Sequence, residues 1–226
     1  MITVGISSKG RLHKDSLRFL SKNKIKVFSK RGKRDLFGSV RNMANIKIVY
    51  LHAREIIDRL ADNSLDIGIS GLDLLYESKA SLHKEILIKK KLNFGKAKLV
   101  IAVPDEWIDV ETVVDLEEVA YNFKDKKKRR LRVATKYPNL TREFLFSKGV
   151  TQFKLIDSLG ATEAYPFTGS SEIITDITST GETLKANNLR ILKDGEILRS
   201  EACMMISKSS NNKMGLKKIV KLLSKN

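Results

Sequence analysis

The stretch IKIVYLHAREIIDRLADNSLDIGISGL, residues 46–72, contains two apolar runs with a helical pattern between them. Residues 46–51 and 65–70 have the length and the isoleucine and valine content of buried strands. Between them, Ile56 and Leu60 lie one helical turn apart. A strand, a helix and a second strand in this order are typical of a unit whose strands run parallel. The segment therefore predicts a mainly parallel α/β sheet.

Strand and helix patterns continue on both sides of this segment. Residues 1–6 form an apolar strand, and the helical stretch after it has four residues on one face, namely Leu12, Ser16, Phe19 and Leu20. Further elements are predicted as strands at 97–103, 131–135, 153–156, 173–177, 189–192 and 202–207, with helices at 140–148 and 213–223. The residues Asp194 and Gly195 predict a turn before the last strand.

The composition changes after Pro104, where an acidic segment at 105–118 precedes a basic one at 124–132. The strand and helix alternation restarts beyond it. We therefore expect two α/β lobes with a central cleft between them. The first lobe is predicted to comprise residues 1–103 with about 190–226, and the second residues 104–189.

Charge is the one unusual feature of the composition. The 226 residues include 43 Lys and Arg against 26 Asp and Glu, a formal charge of +17, which attracts polyanions of any kind. The lysines are spread along the whole chain, and aromatic residues do not alternate with the basic runs as a base-stacking surface requires. The net charge alone therefore does not indicate which class of function the protein has.

The cysteine count and the apolar patterns restrict the classes of protein to which the chain can belong. The single cysteine, Cys203, excludes an internal disulfide and a cysteine-built zinc site, and the three histidines are far apart. No secretion-signal pattern and no apolar run of about 20 residues is present. We expect a cytoplasmic protein without a metal site of its own.

The most informative segment is DITSTGETL, residues 176–184. A strand ends in the carboxylate of Asp176, and hydroxyl residues and a glycine then precede a helix. Converging N–H and O–H donors at such a place suit a phosphate group, and Gly181 allows a tight turn around it. Asp176 and Glu172 are carboxylates that can accept hydrogen bonds from ribose hydroxyls. An ordinary helix-capping loop has the same composition, so both interpretations stay open.

Three other segments are candidates for anion binding. Lys9-Gly10-Arg11 follows the first strand, where open α/β sheets place ligands. Gly71-Leu72-Asp73 follows a later strand, and residues 31–35 add positive charge that could close over phosphates. A solvated basic turn, a helix cap and a solvated loop are the respective alternatives.

Several motifs together resemble one family. RVATKYPNLTR at 132–142, SLGATE at 158–163, the segment 176–184 and NNL at 187–189 follow one another as they do in ATP phosphoribosyltransferases. The resemblance extends from about residue 2 to residue 206 and includes Lys9-Gly10-Arg11 and Gly71-Leu72-Asp73. It implies a fold like type II periplasmic binding proteins, with the active site in the cleft.

The resemblance also implies the reaction and its residues. The enzyme would transfer the 5-phosphoribosyl group of phosphoribosyl pyrophosphate to N1 of the adenine of ATP, with substrate-bound Mg²⁺. The expected catalytic residues are Lys9, Arg11 and Arg54. The expected substrate-binding residues are Gly71, Asp73, Glu163, Asp176, Thr178, Ser179, Thr180, Gly181, Glu182 and Thr183.

The resemblance further implies partners. Residues 208–226 follow the last matching strand, as expected of the short form of the family. Short-form members work with a regulatory subunit related to histidyl-tRNA synthetase, and we also expect a homodimer. Nucleic acid and membranes are not expected partners. The alternatives are a non-catalytic two-lobe binding protein for a phosphorylated molecule, a nucleic-acid-binding protein, and a membrane-surface role for the helix at 213–223.

Overall fold

The computed structural model describes residues 1–28, 35–41 and 43–224. The chain forms two compact units, Met1–Lys96 with Glu201–Asn226, and Ala97–Ser200. The sequence placed these boundaries near residues 103 and 190. The difference arises because the strands at 97–104 and 189–200 pair with each other and therefore belong to the same unit.

The first unit contains a seven-stranded sheet, with strands numbered in chain order over both units. Its strands are β1 (Ile2–Ser7), β2 (Val27–Phe28), β3 (Phe37–Val40), β4 (Ile46–Leu51), β5 (Ile67–Gly71), β6 (Ile86–Lys91) and β12 (Ala202–Ser207). The order is β2-β3-β4-β1-β5-β12-β6. The three central strands, β4, β1 and β5, run parallel, and the other pairs are antiparallel. The predicted parallel sheet is thus the centre of a mixed one.

Helices pack on this sheet, and the first of them buries residues of the face that the spacing predicted. They are α1 (Gly10–Lys22), α2 (Ala53–Ala61), α3 (Leu72–Glu77), α4 (Ala80–His83) and α8 (Leu216–Ser224). In α1, Ser16 and Leu20 are fully buried. In α8, Leu216 and Leu223 join the core of β1 and β5. The apolar face of the basic C-terminal helix is therefore covered by its own unit.

The second unit contains a five-stranded sheet in the order β11-β7-β10-β8-β9. Its strands are β7 (Ala97–Pro104), β8 (Leu131–Thr135), β9 (Phe153–Asp157), β10 (Ile173–Thr178) and β11 (Leu189–Ser200). Its helices are α5 (Asp115–Lys127), α6 (Pro138–Ser147) and α7 (Glu182–Ala186). β10, β8 and β9 are parallel, whereas β7 is antiparallel to both of its neighbours.

The predicted turn at Asp194 and Gly195 is wrong. Both residues lie inside β11, where the pairing with β7 shifts register between Ile191 and Glu196. The Asp194 carboxylate accepts a hydrogen bond from the backbone N–H of Val113 at 2.7 Å. A bulge thus replaces the expected turn, because the extra residues are absorbed within one long strand.

Candidate active site

In the first unit, the predicted site residues gather at one edge of the sheet. Lys9 and Arg11 follow β1, Arg54 follows β4, and Gly71 and Asp73 lie at the end of β5 and the start of α3. Because these three strands are parallel neighbours, their carboxyl ends lie at the same edge. This edge is where open α/β sheets bind ligands.

The backbone around Lys9 is held by its neighbours. The Ser7 hydroxyl donates to the Lys9 carbonyl oxygen at 3.0 Å, and the Ser8 N–H donates to the Leu51 carbonyl at 2.8 Å. Gly10 has a φ of +79°, a conformation that favours glycine. Lys9 and Arg11 themselves are exposed. The turn is therefore fixed while both cations are accessible to solvent.

The turn after β5 explains its glycine. A Cβ atom at position 71 would collide with the carboxylate of Asp73, which is 6% exposed. Nearby, the Ser70 hydroxyl donates to the Ala53 carbonyl at 2.8 Å and joins the end of β5 to the start of α2. That start is also capped by His52, which accepts from the Arg54 N–H at 3.4 Å. Asp73 is thus a buried part of the turn, whereas Arg54 is exposed.

In the second unit, the motif segments also meet at one edge. Lys136 follows β8, the segment 158–163 follows β9, and Thr178 ends β10. These strands are parallel, so their carboxyl ends again lie together. The structure therefore brings Glu163 and the loop 178–183 to the same end of the second sheet.

The loop 178–183 is a compact turn that is rich in donors. The Gly181 N–H donates to the Thr178 hydroxyl oxygen at 2.9 Å, and Gly181 has a φ of +80°. Ser179, Thr180 and Thr183 are exposed, with their hydroxyls on a backbone of fixed shape. The following helix, α7, has only five residues. Its dipole is therefore small, and anion binding here depends on the hydroxyls and amides of the loop rather than on the helix.

Asp176 is the carboxylate beside this loop. Its Oδ1 atom accepts a hydrogen bond from the Ile177 N–H at 2.9 Å. Burial raises the pKa of Asp176 above its usual value, the Ile177 N–H and the positive charge of Lys136 oppose that rise, and the negative charge of Glu163 adds to it. Asp176, Lys136 and Glu163 therefore form one electrostatic group.

Lys136 is the residue of this group to which the sequence gave no role. Its position directly after a parallel strand was the available signal. The sequence also placed residues 31–35 near the phosphates, and 31–34 lie outside the described residues.

The structure does not bring Glu172 to the loop 178–183, although the sequence suggested that this residue could bind the ribose. This carboxylate precedes β10 at the opposite end of the strand from Thr178. It accepts hydrogen bonds from the Arg132 backbone N–H at 2.7 Å, from the Arg132 Nη2 at 2.6 Å and from the Arg129 Nη1 at 2.9 Å. Burial would raise the pKa of Glu172, but the Arg132 and Arg129 bonds outweigh it and lower the pKa. The bonds of Glu172 to Arg129 and Arg132 therefore stabilise the fold, and we call these three residues the clamp.

Over residues 1–28, 35–41 and 43–224, no group of three His, Cys, Asp or Glu side chains could hold a metal ion. Over the same ranges, no helix has the length and apolar character needed to cross a membrane.

A family model described as ATP phosphoribosyltransferase matches residues 52–225. The chain belongs to the ATP phosphoribosyltransferase family. An ATP phosphoribosyltransferase of Nitrobacter winogradskyi is 41% identical over 222 residues, which are 98% of this chain and 68% of that protein. One of Mesorhizobium japonicum is 41% identical over 211 residues, which are 93% of this chain and 91% of that protein.

Solved structures confirm the predicted fold class. An ATP phosphoribosyl transferase (HisG:HisZ) complex from Thermotoga maritima matches with a TM-score of 0.76 and 24% identity, over 99% of this chain and 96% of that one. The GluR0 ligand-binding core in complex with L-glutamate matches with a TM-score of 0.58 and 10% identity, over 98% and 89%. At these identities the likeness concerns the fold alone. It confirms two α/β lobes of the binding-protein type.

Proposed function

We propose that the chain transfers the 5-phosphoribosyl group from phosphoribosyl pyrophosphate to N1 of the adenine of ATP and releases pyrophosphate, the first step of histidine biosynthesis. The observation that carries the proposal is the family match over residues 52–225, together with relatives of that name that are 41% identical. A non-catalytic binding protein has only the fold in its favour, at 10–14% identity.

The chemistry assigns a role to the cations of the first unit. N1 of adenine already has a lone pair, so the nucleophile needs no prior deprotonation. The main barrier is the departure of a highly charged pyrophosphate while the sugar becomes cation-like. Fixed positive charge that faces the leaving group lowers this barrier. We assign this role to Lys9, Arg11 and Arg54, which are exposed at the carboxyl edge of the first sheet.

The second unit supplies donors and a carboxylate. We assign the 5′-phosphate to the hydroxyls and amides of the loop 178–183, which is held by the bond between the Gly181 N–H and Thr178. Asp176 would accept hydrogen bonds from the ribose hydroxyls, and its ionised form makes these bonds stronger. Burial opposes that form and the charge of Lys136 favours it. The remaining substrate-binding assignments, Gly71, Asp73, Glu163 and Glu182, stay predictions.

Magnesium and partners belong to the proposal as well. The family resemblance implies Mg²⁺ bound to the phosphates of the substrates, and this ion stays part of the proposal. The Thermotoga maritima structure is a HisG:HisZ complex, and we propose a partner of that kind for this chain. The homodimer, the short-form assignment and the cytoplasmic location stay predictions.

A pyrophosphate-release assay with ATP, phosphoribosyl pyrophosphate and Mg²⁺ tests the reaction and the loop. Thr180→Ala removes an exposed hydroxyl from the loop 178–183, whereas Thr151→Ala removes one from the loop before β9, at the other end of the sheet. A hydrogen bond to a charged group contributes about 1.5–3 kcal/mol. We therefore expect kcat/KM to fall by roughly 10- to 150-fold in Thr180→Ala and to stay unchanged in Thr151→Ala.

Lys9 can also be tested by comparing a site variant with a matched control variant. Lys9→Ala should lower kcat by roughly 100-fold or more, because it weakens stabilisation of the departing pyrophosphate. Lys14→Ala removes an exposed lysine of α1, the helix that begins directly after Lys9, and should leave kcat unchanged. Release that does not require both substrates, or no release even with an added HisZ-type subunit, would overturn the proposed reaction. Equal effects of Lys9→Ala and Lys14→Ala would overturn the role of Lys9.

A further inference from the structure

Three threonine hydroxyls form a closed ring inside the second unit. The Thr175 hydroxyl donates to Thr135 at 2.5 Å, Thr135 lies 3.1 Å from Thr141, and Thr141 lies 2.7 Å from Thr175. None of the three residues is more than 1% exposed. Each hydroxyl has one hydrogen to donate and lone pairs to accept, so a ring in which each donates to the next satisfies all three. We refer to Thr135, Thr141 and Thr175 as the threonine ring.

The threonine ring joins three elements directly beneath the candidate site. Thr135 is the last residue of β8, Thr175 lies in β10, and Thr141 lies in α6. Thr135 and Thr175 are also partners in the parallel register of the two strands. The next residues along the chain are Lys136 and Asp176. The ring therefore fixes the two backbone positions from which these charged side chains extend.

A further bond extends the threonine ring toward the loop after β8. The Tyr137 N–H donates to the Thr135 hydroxyl oxygen at 2.9 Å. Lys136 is thus held on both sides, by the ring before it and by this N–H after it. Apolar residues of similar shape could fill the same buried space without the cost of removing hydroxyls from water. What hydroxyls add over apolar groups is direction, since their bonds fix distances and angles.

We propose that the threonine ring is a positioning device that fixes Lys136 relative to Asp176, so that the carboxylate that binds the ribose keeps its cationic neighbour during the reaction. This inference rests on the proposed function of Asp176. The Thr141 hydroxyl bonds to Thr135 and Thr175, whose chain neighbours are Lys136 and Asp176, so a change at Thr141 perturbs the ring and leaves both charged side chains in place.

The ring's role has a measurable electrostatic consequence. The charged groups that act on Asp176 are Lys136, from the end of β8, and Glu163, from the segment after β9. Lys136 favours the ionised carboxylate and Glu163 opposes it. If breaking the ring lets Lys136 move away, the pKa of Asp176 must rise further. The acidic limb of the pH profile of kcat/KM then moves to higher pH.

The test replaces Thr141 in the full chain. Thr141→Val keeps the shape and removes the hydroxyl, Thr141→Ser keeps the hydroxyl, and Val150→Ala destabilises the same core elsewhere. We expect Thr141→Val to lower kcat/KM by about fivefold or more. The midpoint of the acidic limb of the pH profile should rise by roughly 0.5 pH unit. Thr141→Ser should have the kcat/KM and the acidic midpoint of the wild type. Val150→Ala should change neither quantity.

A second readout does not need activity. The side-chain carboxyl carbon of Asp176, followed by ¹³C NMR against pH, should titrate at higher pH in Thr141→Val than in the wild type. An unchanged titration, or an equal change in Val150→Ala, would overturn the positioning role. Wild-type protein that releases no pyrophosphate would instead overturn the proposed function and leave the NMR comparison to decide the ring. If Thr141→Val does not fold, Thr141→Ala asks the same question without the branched side chain.

Discussion

Replacing Glu172 by glutamine tests whether this carboxylate serves the fold or the substrate. Its side chain is 9% exposed and accepts hydrogen bonds from Arg132 and Arg129. Glutamine keeps the size and one acceptor oxygen but removes the charge from these bonds. Glu172 also lies six residues before Thr178 along an extended strand, a separation of about 20 Å at roughly 3.3 Å per residue.

The size of the stability loss follows from the exposure of the partners. Hydrogen bonds to charged groups contribute about 1.5–3 kcal/mol each. The side chains of Arg129 and Arg132 are 41% and 27% exposed, so both can turn toward water once the carboxylate is gone. This places the loss near the lower end, at about 2 kcal/mol, because no charge is left buried without water. The corresponding decrease in Tm is roughly 4–8 °C.

Urea and thermal unfolding measure the stability, and the pyrophosphate-release assay measures the function. We expect Glu172→Gln to lose stability while kcat/KM stays within about twofold of the wild type. Glu163→Gln should show the opposite pattern, because Glu163 lies at the substrate end of the sheet. If Glu172 instead bound the ribose, kcat/KM would fall by roughly 10- to 150-fold. Such a fall in a protein of unchanged Tm would refute the clamp.

Two further predictions concern the first unit. Burial would raise the pKa of Asp66, but the bonds that it accepts from Lys213, Ser210 and the Thr3 N–H lower it below its usual value. These bonds contribute to the free energy of unfolding above the unfolded pKa of about 3.9, and the contribution is lost as pH falls through the folded pKa. The urea midpoint of the wild type should therefore approach that of Asp66→Asn below pH ~4. A constant difference between the two proteins down to pH ~2 would contradict this. Burial raises the pKa of Cys203 to about 11, so the thiol should react with a disulfide reagent at pH ~8 only in urea, and rapid labelling of the folded protein would show that it is accessible.

The strands of the two sheet centres could be predicted because their apolar runs are long and continuous. β4 and β8 have the predicted bounds. The short strand β3 was missed because its exposed residues, such as Phe37, leave no apolar run. The helix α5 was missed for a different reason. Its first turn is acidic and its last turn basic, an order that stabilises a helix through its dipole. The composition change near Pro104 instead suggested two separate segments.

Candidate site residues could be selected from the sequence where one segment contains the whole feature. The donors of the loop 178–183 and the carboxylate of Asp176 are of this kind. The sequence does not distinguish the role of Glu172 from that of Asp176, because one acidic residue directly precedes β10 and the other lies within it. Only the folded chain shows that Arg129 and Arg132 surround the first of them. The threonine ring was equally hidden, since its members come from three different elements.

What a positively charged residue contributes depends on where it lies in the fold, not on the net charge of the chain. Some of the cations serve the fold, since Arg132 and Arg129 bind Glu172 and Lys213 binds Asp66. Exposed lysines far from any site attract anions only through a field that salt weakens within about 10 Å. Lys9 and Arg54 differ because strand ends and helix starts set their backbones at an edge where ligands bind. Cations fixed in place stabilise a leaving group without reorganising during the reaction. A formal charge of +17 spread over the surface does not provide this.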